Sequence, residues 1–226
     1  MNNIIQKINE AVKAEASKGK IKVEVMMEKL NSEELKNDMF TNTLKKYSSV
    51  DTRFGTDKIT THSYGEIYDS LFFNYKDKNI NLLEIGFDGG FSLQAYHDYF
   101  SRGNIYGIDI TDNMSDSVRL NNELKIIIGD AKKPEIVSMC SSICFDIIIE
   151  DASHLLEDQI QHFSDYVKSI KPGGIYIIED VNGSNLEKIA KETEKIADMN
   201  DLAMKIYDLR SVKNRFDDIL IVFFKN

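Results

Sequence analysis

At 226 residues, with 42% hydrophobic and 29% charged side chains, the chain has the make-up of a globular domain with a small extension. A net charge of -9, with basic residues no denser than the pairs Lys45–Lys46 and Lys132–Lys133, excludes nucleic acid and an anionic membrane surface as expected partners. Cys140 and Cys144 are too few for a disulfide framework or a zinc site and read as two small buried side chains, and no apolar run has the length of a membrane span.

The first residues, MNNIIQKINE, lack the basic start, apolar core and cleavage site of a secretory signal, which predicts a cytoplasmic chain. Ile4, Ile5, Ile8, Ala11 and Val12 fall on one face of a helix, and Ser32 before Glu33 and Glu34 reads as a second helix start. Residues 1–50 are therefore expected to form a helical N-terminal extension, a lid or an oligomer contact, ahead of a main domain over 51–226. Residues 51–64 are polar and turn-rich and lead into a helix over 65–73. Strands are then expected at 81–85, 104–110, 124–128, 145–150 and 175–179. Helices are expected between them near 91–100, 114–120, 133–140 and 156–170. Pro172–Gly173–Gly174 reads as a sharp turn into the fifth strand. A helix near 184–198 precedes two strands, 204–210 and 218–224, that would pair as a hairpin. The alternation predicts an α/β doubly wound, Rossmann-like sandwich, with a mostly parallel seven-stranded sheet ending in an antiparallel hairpin.

Two of these strands end abruptly in acid. FDIIIEDASH (145–154) delivers Glu150, Asp151 and His154, and GIYIIEDV (174–181) delivers Glu179 and Asp180. Ligands of such sheets bind beyond the carboxyl ends of the strands. Asp151, Glu179 and Asp180 would thus converge on one rim beside His154, a donor set suited to a divalent metal with a base next to it. A single acid there could equally cap the following helix; it is the matched pair of strand ends that points to chemistry.

After the first strand, LLEIGFDGG places Gly86, Gly89 and Gly90 in a strand–helix turn. A pyrophosphate would bind such a turn through the helix N-terminus. Here Glu84 stands two residues before Gly86 and Asp88 lies within the loop, and both would repel a dinucleotide. They suit a ligand with an ammonium and a sulfonium, as in S-adenosylmethionine. Asp109 ends the second strand, where a carboxylate accepts the ribose hydroxyls in these folds, and Asp130 ends the third, in reach of an adenine amino group. An NAD-dependent dehydrogenase is disfavoured by Glu84 and by the terminal hairpin.

These segments, with TDKITTHSYGEIY (56–68), IYGIDI (105–110), IIGDA (127–131) and KPGGIYIIEDV (171–181), resemble the class I methyltransferases. Within them the likeness is to the metal-dependent sugar O-methyltransferases typified by the macrocin and mycinamicin enzymes. The resemblance implies that Asp151, Glu179 and Asp180 ligate Mg²⁺ or Mn²⁺ and that His154 is the general base. It implies that S-adenosylmethionine is held by Glu84, Gly86, Phe87, Asp88, Gly89, Asp109, Ile110, Gly129, Asp130, Ala131, Glu150 and Asp151. Lys58, His62 and Tyr64 become candidates for contact with the substrate or for a lid. The chain departs from the family pattern at Glu150, where Asp is usual, at Phe91, and over its first fifty residues.

The chemistry explains the residue types. A sugar hydroxyl has a pKa of ~16, beyond the reach of imidazole alone, and a divalent cation lowers it. An acceptor with vicinal hydroxyls could chelate the metal, and His154 would take the proton. Two other readings compete: a catechol-type phenol O-methyltransferase, against which the pair Glu179–Asp180 argues, and a non-catalytic S-adenosylmethionine-binding protein, against which the intact set argues. His97 and His162 read as structural helix residues, and Tyr68, Phe72, Phe73 and Tyr75 as core.

Overall fold

The computed structural model describes residues 39–226, and the helices expected within 1–38 lie outside them. Residues Phe40–Asn226 form one compact unit. At its centre is a seven-stranded sheet in the order β3-β2-β1-β4-β5-β7-β6. The strands are β1 Asn81–Ile85, β2 Asn104–Asp109, β3 Lys125–Ile128, β4 Phe145–Glu150, β5 Ile170–Ile178, β6 Leu202–Asp208 and β7 Ile219–Lys225. β1 to β5 are parallel, β7 runs antiparallel to β5, and β6 pairs antiparallel with β7 from Leu202↔Lys225 to Asp208↔Ile219. The chain order reverses at β1 and β4, so their connections leave on opposite faces and open a crevice between them.

The core strands are mostly apolar because both faces of the sheet are covered. Successive side chains alternate between two buried layers. Leu82, Ile147, Ile149, Ile175 and Ile177 pack with Phe40, Tyr68, Phe72, Tyr96 and Phe100. Leu83, Ile148, Tyr176, Ile178 and Phe223 pack with Phe163, Tyr166 and Ile189 on the other side. The short helix Phe40–Leu44, counted with the N-terminal extension from sequence, buries both its apolar ends in the first layer. Phe40 stacks on Tyr96 at 5.4 Å and meets Phe72 edge-on at 5.2 Å.

Two expectations are corrected. The turn at Pro172–Gly174 does not precede the fifth strand but lies inside it: β5 begins at Ile170, paired with Phe145, and the register shifts before Ile175 pairs with Ile147. Gly173, at φ 76°, lets the strand bulge there. Cys140 is buried, whereas Cys144 is exposed. Among the described residues no helix is long and apolar enough to cross a membrane.

Candidate active site

A cavity of about 440 Å³ opens at the carboxyl ends of the strands. Twelve residues expected at the site line it: Gly86, Phe87, Asp88 and Gly89 after β1, Asp109 and Ile110 after β2, Gly129, Asp130 and Ala131 after β3, Asp151 and His154 after β4, and Asp180 after β5. Gly86 has φ 83°, and a Cβ there would lie 2.2 Å from the Asp151 carbonyl oxygen and 2.4 Å from the Ala152 Cα. Only glycine lets the two strand-end loops pass so close. Asp109 braces the same turn: Oδ2 accepts the backbone N–H groups of Phe87 and Asp88, both at 2.9 Å, and Oδ1 accepts that of Thr111 at 2.8 Å. Of the five non-glycine residues with positive φ among the described residues, Asp88, His154 and Asp180 line this cavity. Backbone strain concentrated in this way marks functional sites.

The acids do not all face the cavity, and strand alternation is the reason. Glu84 has the parity of Leu82 and turns into the first layer, where Ser92 Oγ donates to it at 2.5 Å and Lys58 Nζ lies 3.3 Å away. Glu179 has the parity of Ile177 and enters the same layer, where Tyr68 donates its hydroxyl proton and Lys58 Nζ lies 2.8 Å from both carboxylate oxygens. Glu150 has the parity of Ile148 and enters the other layer, 3.0 Å from Nδ1 of His162. Glu84 and Glu150, expected to touch the cofactor, therefore stand behind the cavity wall, and Glu179 is not brought to the rim with Asp151 and Asp180.

Lys58, His62 and Tyr64 are corrected as well. All three are buried and do not line the cavity, where the resemblance implies contact with the substrate or a lid. Lys58 is 2% exposed and also donates to Asp151 Oδ2 at 2.5 Å. It is the counter-ion of Glu84, Asp151 and Glu179. Burial opposes its charge, but these carboxylates outweigh burial and hold its pKa well above the ordinary lysine value. Burial pushes Glu84 up to about 7 and Glu179 well above the carboxylate range, with Lys58 opposing both shifts. Asp180 is likewise raised, by burial first and then by the Asp151 charge.

Two clusters could be considered for a cation. Glu84, Asp151 and Glu179 surround the Lys58 ammonium, which occupies that centre. Asp151, His154 and Asp180 bring one ligand atom each within 4.8 Å of one another on the cavity side. His154 is 42% exposed and bridges the two acids, with Nδ1 3.9 Å from Asp151 Oδ1 and Nε2 3.8 Å from Asp180 Oδ2. Two hard carboxylates on the cavity wall fit Mg²⁺ or Mn²⁺. The ring of Asp88, Asp109, Asp130, Asp151 and Asp180 around the cavity fits a cationic organic ligand and opposes a pyrophosphate.

Several lining residues were not picked out from sequence. His162 was read as a helix residue, yet it lines the cavity with Asp158, and Glu150 behind it fixes its ring. Thr52, Thr56 and Asp57 reach the cavity from the segment before the sheet. His162 lies eight residues after His154, and the parity of Glu150 gave a usable hint of its partner. Nothing local marks the threonines. His97 pairs with Glu123 at 2.7 Å outside the site.

A family model described as "Methyltransferase domain" matches residues 83–178. Among curated proteins, the chain is 31% identical over 141 residues to 8-demethyl-8-alpha-L-rhamnosyl tetracenomycin-C 2'-O-methyltransferase of Streptomyces olivaceus, a match covering 58% of this chain and 36% of the relative. It is 33% identical over 129 residues to demethylmacrocin O-methyltransferase of Streptomyces fradiae, covering 53% and 32%. The match thus spans about a third of the length of these curated relatives. Among solved structures, the fold matches the MycE methyltransferase from the mycinamycin biosynthetic pathway, in complex with Mg, SAH and mycinamycin VI. The TM-score is 0.63 at 22% identity, over 83% of this chain and 54% of that one.

Proposed function

We propose that the chain carries a methyltransferase domain on its α/β fold and transfers the methyl group of S-adenosylmethionine to a sugar hydroxyl with the help of Mg²⁺ or Mn²⁺. The observation that carries the reading is the carboxylate ring of the cavity, with the cluster Asp151, His154 and Asp180 at one side. The name of one curated relative, a rhamnosyl tetracenomycin-C 2'-O-methyltransferase, supports a sugar hydroxyl as the acceptor class, and vicinal hydroxyls would suit chelation of the cation.

When bound, the donor would supply an already activated methyl group, and a divalent cation would supply Lewis acidity toward an acceptor hydroxyl. The residues do the rest. Asp109 keeps the glycine turn in shape, and Asp130 on the cavity wall would accept from the donor's adenine amino group. Asp151 and Asp180 would hold the cation, with Glu179 turned away onto Lys58 behind them. His154 stands between these two acids and takes the acceptor's proton on a ring nitrogen, and its exposure gives that proton a way out to solvent.

The distances favour one second reading, in which His154 is a metal ligand rather than the base. Metal titration of His154→Ala separates the two. As a base, its loss lowers kcat by about 10²–10⁴-fold and leaves Mn²⁺ affinity as in the wild type. As a ligand, affinity falls with activity. Wild-type turnover in His154→Ala would reject both.

A further inference from the structure

Asp180 is held from behind by two residues that the proposed chemistry does not use. The Tyr64 hydroxyl donates to Asp180 Oδ1 at 2.5 Å and accepts the Asp180 backbone N–H at 3.2 Å. His62 Nε2 lies 3.3 Å from the other carboxylate oxygen, Oδ2. Both side chains are buried, and their rings stack at 4.9 Å. Behind His62 stands Asp218, fully buried, whose Oδ1 lies 3.6 Å from His62 Nδ1 and accepts the Ser63 backbone N–H at 2.9 Å.

The chain makes this contact at some expense. Asp180 sits at φ 52°, a conformation that costs an ordinary residue about 1–3 kcal/mol. Its carboxylate is nearly enclosed, with the Tyr64 hydroxyl bonded to one oxygen and the His62 ring 3.3 Å from the other. A carboxylate at a loop of this kind would otherwise rotate about χ1 and χ2. Ligand carboxylates and histidines gain affinity for a metal when hydrogen bonds from beyond the ligands fix their orientation.

We propose that Tyr64 and His62 are positioning residues that lock the Asp180 carboxylate for a divalent cation. The inference rests on the reading of Asp180 as a metal ligand. It concerns the segment Lys58–Tyr64, and it assigns its aromatic end to metal affinity, not to contact with the acceptor.

The test is calorimetric titration of Mn²⁺ into the full chain, wild type against Tyr64→Phe, with S-adenosylhomocysteine titrated in parallel. Tyr64→Phe removes only the hydroxyl, so the ring packing survives. The expected result is a 10–100-fold loss of Mn²⁺ affinity with S-adenosylhomocysteine affinity unchanged. His62→Gln, which keeps a side-chain donor, is expected to retain more affinity than His62→Ala, and it serves as the test should Tyr64→Phe fail to fold. Mn²⁺ affinity within two-fold of wild type in Tyr64→Phe, or equal loss in His62→Gln and His62→Ala, overturns the inference. Failure of the wild type to bind Mn²⁺, or undiminished binding by Asp180→Asn, overturns the underlying metal reading instead.

Discussion

Lys58 carries a full charge into the most enclosed part of the molecule, and three carboxylates answer it. Removing one partner of a buried ionic group costs about 3–5 kcal/mol, because the remaining charges are left without compensation. Lys58→Met is therefore expected to lose about 3 kcal/mol of stability in denaturant unfolding at pH 7, and a loss under 1 kcal/mol would show that the acids do not need it. The same cluster gives a pH dependence. Glu84 titrates at about 7 in the fold against an ordinary 4.5, so its proton stabilises the folded state fully below about 4.5, and this contribution is lost as pH rises through about 7. Wild-type stability should fall between pH 5 and 8, and Glu84→Gln should flatten that fall; an unchanged slope in the variant would contradict the assignment. Sequence made the acids visible but not their directions. Parity along each strand sends Glu84 and Glu179 into one layer and Glu150 into the other, and that could have been read from Leu82, Ile177 and Ile148. That the Lys58 side chain meets Asp151 and Glu179, 93 and 121 residues on, could not be read locally.

At the scale of elements, the strand-end turns carry the site. Gly86 and Gly173 both have positive φ, but their surroundings differ. A Cβ at Gly86 would strike backbone after β4, whereas one at Gly173 meets nothing within 4 Å. Gly173→Ala should cost about 1–2 kcal/mol, the strain of the left-handed region alone. Gly86→Ala should cost more than about 3 kcal/mol in thermal unfolding, because two backbone segments must separate. Equal costs would mean the close approach is not held rigidly. The strands were legible because each is an apolar run between turn residues; β1 and β4 match their expected bounds, Asn81–Ile85 and Phe145–Glu150. The start of β5 was not. Pro172 and the two glycines look like punctuation, yet pairing of Ile170 with Phe145 outweighs local turn preference and leaves them as a bulge. The last two strands were read as joined by a polar turn, and the connection also contains the short helix Arg210–Lys213.

For the whole molecule, the order of β1 and β4 at the point of reversal places every acid-bearing loop on one edge, and the ligand reading follows from that topology more than from any one motif. The net charge of -9 reinforces it, since the cavity lies in a chain that favours cations. The most direct test is calorimetric titration of S-adenosylmethionine into the full chain with and without Mg²⁺, with NAD as the comparison ligand. The predicted result is saturable, one-to-one binding of S-adenosylmethionine and none of NAD. Binding of NAD, or no binding of S-adenosylmethionine in either metal condition, would contradict the central claim that the acidic rim is built for a cationic methyl donor.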